Sequence, residues 1–456
     1  MEDRRGRVMR IATIGAGWAG AAAAVTLARL GHEVTVFEAG AIPGGRARRV
    51  ERDGLALDNG QHLLLGAYEH ARNLLAAVHG GDGERGLLAR MPLEVAPPEG
   101  RPAAFALRSK PWPAPLGLAA GLLGARGLGM ADRLAAAAWF ARLRARGYRC
   151  PPGTTVAQLC ASGPRAAAEA LWHPLCLAAL NTPPERACGQ VFANVLRAAL
   201  GGRRESSDFL LPVTDLSALF PEPALRFVEQ SGGRVRLRTA ARIASVDDGA
   251  LVVEHAHGRE TFAAAVVAVG PHQLDAALGA HAVFDAVREQ AAALTYEPIA
   301  TAWLGYPARI ALPARMVRLD DAPGQWVVDR QDVIARRAPA PERPQVAQLL
   351  AVVISASGPH DALPPAALAA ACDAQLRRLV PALPPLAWSQ TIVERRATYA
   401  CVPQRPRSPS TLPHGRVALA GDWLDEAFPA TLEAAVRTGV AAAFALEARH
   451  EDAVAG

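Results

Sequence analysis

An α/β fold assembled from separated segments, with a mixed α+β domain inserted between them, is predicted by three observations. A strand–glycine turn–helix–strand unit opens the chain, short strands recur near 234–270, and a last apolar strand runs into a C-terminal helix. The first unit is the most specific. Ile11, Ala12, Thr13 and Ile14 predict a buried strand, and Gly15, Gly17 and Gly20 predict a G-x-G-x-x-G turn into a helix reaching about Leu30. The second strand, Val34–Phe37, ends in an acid, Glu38. Each glycine answers a mechanical need: a tight turn, close backbone approach to a pyrophosphate, and close helix–strand packing. The helix N-terminus offers unpaired N–H groups to phosphate, and Glu38 stands where a carboxylate accepts ribose hydroxyls. These features together predict a Rossmann-like dinucleotide site.

With 456 residues, 51% hydrophobic and 20% charged, the chain has the length for two or three domains and a large core. Lysine and arginine total 49, of which only Lys110 is lysine, so chemistry that needs a lysine nucleophile has one candidate. The formal charge of +6 reads as scattered, which argues against a nucleic-acid stripe. It leaves open an anionic lipid or phosphorylated partner. Six cysteines without a C-x-x-C or a tight Cys/His cluster read as buried thiols of a reducing, cytoplasmic compartment, and no metal site is expected. Residues before Met9 read as a short disordered extension, not a signal peptide.

After Glu38 a hairpin is expected from Val50–Arg52 and Leu55–Leu57 around Asp53-Gly54. Residues 63–79 read as helix, Ala104–Leu107 as strand, and 131–148 and 165–200 as helix with a Pro-Pro break at 183–184. The uncharged stretch 111–125 is apolar but punctuated by proline and glycine, and too short to span a bilayer, which needs about 20 apolar residues. With the arginines that follow, it reads either as a helical lid or as an interfacial patch. Strands are expected at 234–237, 241–246, 251–255, 265–269, 348–354 and 416–420, with a final helix from near Pro429. The expected division places 9–75, 205–280 and 386–456 in the nucleotide-binding domain, and 76–204 with 281–385 in the substrate domain.

Gly15-Ala16-Gly17-Trp18-Ala19-Gly20, Glu38, Pro43-Gly44-Gly45-Arg46 and Gly421-Asp422 together resemble the FAD-binding amine oxidase and carotenoid desaturase superfamily. The resemblance implies FAD as cofactor. Arg46 would then neutralise the diphosphate, Asp422 would accept from the ribityl chain, and Ala241 would touch the adenine. Thr431 and Leu432, at the start of the last helix, would approach the flavin ring. A narrower likeness lies in Leu57-Asp58-Asn59-Gly60-Gln61-His62, Asp215-Leu216-Ser217, Ala420-Gly421-Asp422-Trp423 and Pro429–Arg437. These resemble the squalene-associated flavoprotein desaturases, the hydroxysqualene dehydroxylases of hopanoid synthesis. Ala434 departs from that pattern, where relatives commonly have glycine.

That resemblance implies reduction of hydroxysqualene to squalene. An allylic hydroxyl leaves as water and hydride quenches the cation, which requires an acid and a dry tunnel for a C30 isoprenoid. Candidate acids are Asp58, His62, His173 and Asp425. Gly60, Gln61 and His62 are expected beside the flavin. The tunnel is expected from 111–145 and 165–200, with Trp112, Trp139, Phe140 and Trp172 as wall residues. Three other functions remain open: amine oxidation with Lys110 or a Trp423/Tyr399 cage, carotenoid desaturation or isomerisation, and a flavin-containing scaffold for an upstream prenyl synthase-like enzyme. Peripheral attachment to the inner face of the cytoplasmic membrane is a further expectation.

Overall fold

Five parallel strands carry the glycine turn, and their core is assembled from segments hundreds of residues apart. The computed structural model describes residues 8–455 apart from 82, 99–103, 247–249, 333–345, 381–382 and 406–410, so residues 1–7 of the expected extension lie outside the described residues. Strand β1 (Arg10–Ile14), helix α1 (Trp18–Arg29) and strand β2 (Glu33–Phe37) match the sequence reading to within one or two residues. The hairpin β3 (Arg49–Arg52) and β4 (Leu55–Asp58) follows. Asp53 and Gly54 sit at φ 48° and 72°, the paired positive angles that a two-residue hairpin turn demands.

Helix α2 (Glu69–Val78) is shorter than the expected 63–79, because Leu64–Leu65 pairs as a strand with Phe209–Leu210. Then come α3 (Ala114–Leu123), α4 (Met130–Ala145), α5 (His173–Leu180) and α6 (Gly189–Leu200). Of the expected strand Ala104–Leu107, Ala106 forms an antiparallel bridge with Arg126, and Leu107 pairs in a two-residue rung Leu107–Arg108 against Glu94–Val95. The second half contributes β5 (Arg234–Arg236), β6 (Ala264–Val267) and β7 (Tyr296–Tyr306). It continues with β8 (Met316–Arg318), β9 (Trp326–Asp329), β10 (Gln348–Ser355), β11 (Trp388–Tyr399), β12 (Val417–Leu419) and α7 (Leu432–Ala455).

The parallel sheet has the order β5-β2-β1-β6-β12, with Ile11 opposite both Val34 and Ala264. Fully buried central strands explain why β1 reads as an unbroken apolar run. Helix α1 buries ten consecutive residues, half of them alanine, against the sheet and against α7. Small side chains set that distance: a Cβ on Gly439 of α7 would lie 2.2 Å from the Ala19 carbonyl. At Gly20 a Cβ would lie 1.9 Å from the Gly15 carbonyl, so only glycine permits the turn to meet the helix here. Helix α7 begins three residues after Pro429, because Ala430 takes a left-handed φ of 58° before the helix starts. Glu433 then accepts the His70 and Ala71 backbone N–H groups at 3.0 and 2.9 Å, capping α2 with a carboxylate at its positive end.

A second, antiparallel sheet has the order β8-β9-β10-β7-β11. Strand β11 falls within the stretch expected to belong to the nucleotide-binding segments, yet it ladders along β7 from Tyr296 to Gly305. Helices α3 to α6 pack beside this sheet around Trp139 and Trp172, whose ring centroids are 5.0 Å apart, with Phe140 stacked at 6.3 Å on Trp172. Among the described residues no helix is long and apolar enough to cross a membrane.

Candidate active site

Two cavities meet inside the molecule. The larger, about 1310 Å³, follows the glycine turn: Gly15, Gly17, Trp18, Ala19, Glu38, Gly44 and Gly45 line one end, with Ala241, Gly421 and Asp422 along it. The smaller, about 330 Å³, is apolar and lies between α5, α6 and the antiparallel sheet. Seven residues line both: Arg46, His62, Glu394, Ala397, Ala430, Thr431 and Leu432. They form the rim where the two spaces communicate.

The larger cleft suits a dinucleotide. Gly44 and Gly45 take φ of 127° and 62°, which lets the 43–46 loop run beside Gly17 in a parallel bridge. At Gly17 the nearest atom to an added Cβ is 3.8 Å away, so this glycine leaves space on the cleft side and is not demanded by protein packing. Gly20 lines neither cavity, and its role is the helix contact described above. Both Glu38 oxygens accept backbone N–H groups, from Ala16 and Gly40 at 2.7 Å each, which aims the carboxylate at the end of the cleft. At the opposite end the Thr431 hydroxyl accepts the Ala434 N–H at 3.0 Å, an N-cap that presents the positive end of α7 to the rim.

Arg46 differs from its expected setting. Its guanidinium donates to Asp422 and to the Ala397 carbonyl, so its charge is already partnered and it stands at the rim. Gly60 and Gln61 line only the apolar cavity, whereas His62 reaches both. Among the described residues the buried Gln61 Oε1 has no hydrogen-bond partner.

The expected acids separate clearly. Asp58 lines neither cavity: its oxygens accept the Leu216 N–H at 2.8 Å and Arg330 Nη2 at 3.3 Å, joining the hairpin to the segment after Pro212. Burial pushes its carboxyl up to about 7 against the lowering pull of Arg330, and burial also lowers Arg330. Asp425 is likewise withdrawn. One of its oxygens accepts the Ala427 and Phe428 N–H groups at 2.8 and 2.9 Å and the other pairs with Arg437, so it organises the turn into α7. His173 also lines neither cavity.

His62 holds its Nδ1 2.8 Å from the Gly60 carbonyl, the geometry of an Nδ1–H donor that leaves Nε2 with a lone pair. Burial lowers its pKa, so the ring is neutral and accepts a proton or hydrogen bond. Among the described residues Glu394 is the one carboxylate lining both cavities, steadied by Asn59 Nδ2 at 2.9 Å. The sequence reading missed it, since nothing local marks an acid in the middle of β11. Asn181 was missed as well. In left-handed conformation at the end of α5, it donates to Pro298 and Thr398 and accepts from Ala356, locking the helix to the sheet beside the cavity.

The expected walls are partly revised. Segment 170–200 lines the apolar cavity, but 111–145 does not. Trp139, Phe140 and Trp172 fill the helical core, and Trp112 is 53% exposed.

A family model described as flavin containing amine oxidoreductase matches residues 18–446. The chain belongs to that family. It is an FAD-dependent oxidoreductase, and the cleft with its glycine cradle, Glu38 and capped helix end fits FAD. The chain is similar to two hydroxysqualene dehydroxylases over nearly the full length of each. That of Sinorhizobium fredii is 29% identical, with 94% of this chain and 96% of the relative covered. That of Rhodopseudomonas palustris is 30% identical at the same coverage. Among solved structures, an oxidoreductase from Methanosarcina mazei superposes with a TM-score of 0.71, covering 96% of this chain and all of that one at 14% identity, a likeness of fold.

Proposed function

We propose that this protein reduces hydroxysqualene to squalene, with the smaller cavity receiving the isoprenoid and the larger one holding FAD. The observation that carries the reading is the shared rim: an apolar cavity opens onto the cleft at a point bearing one carboxyl and one neutral imidazole. Full-length similarity to two hydroxysqualene dehydroxylases supports the same substrate.

The overall balance is alcohol plus FADH2 giving hydrocarbon, water and FAD. When bound in its reduced form, FAD supplies the hydride. The protein supplies the rest. His62 Nε2 accepts a hydrogen bond from the substrate hydroxyl and orients the C–O bond. Glu394 gives its proton to the leaving oxygen, and the C–O bond breaks with release of water. The resulting carboxylate faces the allylic cation and stabilises it, an electrostatic contribution that is large where water is excluded. Apolar walls such as Leu171, Val195, Met316 and Val328 keep water from capturing the cation.

Amine oxidation fits the geometry less well. Lys110 is exposed and lines neither cavity, and Tyr399 donates its hydroxyl to the Asp422 carbonyl instead of facing the rim. Anaerobic mixing of the dithionite-reduced holoenzyme with hydroxysqualene tests the proposal. Squalene should form with stoichiometric reoxidation of flavin, and unchanged substrate would overturn the assignment.

A further inference from the structure

The basic surplus is not scattered. Residues 108–149 contain eight lysines and arginines and a single acid, Asp132, a net of +7 against +6 for the whole chain. The rest of the molecule therefore carries a slight negative excess. The same stretch holds five of the twelve exposed large apolar side chains among the described residues: Trp112, Leu116, Leu123, Met130 and Leu134, 42–62% exposed.

Within each helix their spacing places them on the solvent side. Leu116 and Leu123 are seven residues apart on α3, while Leu118 and Leu122 are buried on its other side. On α4, Met130 and Leu134 share the exposed side with Ala131, Ala135 and Ala138, while Ala136, Trp139, Phe140 and Leu143 face the core. Arginine takes over at the C-terminal end, at Arg142, Arg144 and Arg146, all exposed. Among the described residues, none of Lys110, Arg126, Arg144 or Arg146 has a carboxylate partner.

We infer that the α3–α4 surface docks on an anionic lipid bilayer. Aliphatic side chains and a tryptophan with a basic fringe are what a helix lying in the headgroup region requires. A single-sign excess of this size selects a negatively charged partner surface. The surface also adjoins the apolar cavity: α3 starts with the Ala114 N–H donating to the Gly202 carbonyl at 3.1 Å, just past the end of α6, which lines that cavity. An apolar chain leaving the bilayer thus has a short route over α6. This inference goes beyond the proposed reaction and does not depend on it.

Cosedimentation of the FAD-loaded protein with phosphatidylcholine vesicles, with and without phosphatidylglycerol, tests it. Binding should require the anionic lipid and fall with salt. Replacing Arg142, Arg144 and Arg146 by Gln should weaken it on the order of 100-fold, and Leu116→Ser with Leu134→Ser roughly 10-fold or more. The flavin spectrum of each variant reports that the fold is intact. Vesicles with brominated acyl chains should quench an emission component that Trp112→Phe removes. Absence of vesicle binding, equal binding to neutral vesicles, or unquenched Trp112 would each overturn the inference. A surface that captures only a protein partner would give the first of these results. If vesicles bind but hydroxysqualene is not turned over, the docking surface stands and the reaction assignment falls.

Discussion

The cofactor cleft and the apolar cavity share a wall but are built by opposite means. The cleft is made by backbone: glycines at positive φ, N–H groups held by Glu38, and the capped start of α7. The cavity is made by side chains from α5, α6 and all five strands of the antiparallel sheet, which meet only in the folded molecule. Backbone geometry is encoded locally, by residue types at fixed spacing, whereas an enclosure of side chains is a property of assembly. Mutations should therefore act sharply and locally in the first region, and through chemistry or fit in the second.

The largest effect is expected at the glycine turn. Gly20→Val drives a side chain into the Gly15 carbonyl and should abolish both folding and yellow colour. Gly17→Val should lose FAD while keeping its circular dichroism, because only cleft space is consumed. If the two variants behave alike, the distinction between packing glycine and cleft glycine is wrong.

Next in size, Glu394→Gln should lower turnover by roughly 10²–10⁴-fold, the range for losing a general acid, with the flavin spectrum unchanged. A variant with normal turnover would move the acid elsewhere on the rim.

A smaller, pH-dependent effect belongs to Asp58. Its folded pKa, about 7, lies above the ordinary carboxyl value of 3.8, so folding takes up a proton between those limits. The contribution to stability is thus full below pH 3.8 and is lost as pH rises toward 7, by at most about 1.4 kcal/mol per pH unit. Denaturant melts of Asp58→Asn should lack that slope; an identical slope in the variant would show that another group titrates.

Asp425→Asn should matter least. It keeps an acceptor for the turn and weakens the pair with Arg437, costing about 1 kcal/mol and leaving kcat within about threefold. A collapse of kcat with stability preserved would restore Asp425 as the acid.

The same contrast explains what the sequence made legible. The β1–α1–β2 unit, the Asp53-Gly54 hairpin and the glycine and Glu38 end of the larger cleft were readable because each is a short-range pattern. Glu394 and Asn181 were not, since each acquires its place through β11 pairing with β7 or α5 locking to the sheet. Asp58 and Asp425 were readable as acids, and a loop N–H was readable as a partner for Asp58, but their arginine partners were not, because Arg330 and Arg437 lie 272 and 12 residues further along the chain. The short strand at Leu64–Leu65 overrode a helical pattern through a partner near residue 210.

Strand β12 forms the outer edge of the parallel sheet and α7 covers α1, and both come from the final 40 residues. On the ribosome, the first 400 residues would therefore emerge with the floor of the nucleotide site present and its closing elements still unsynthesised. Capture of FAD then waits until residues 417–455 have left the ribosome. A chain released short of α7 would be apoprotein, with the alanine face of α1 left bare for chaperone or protease.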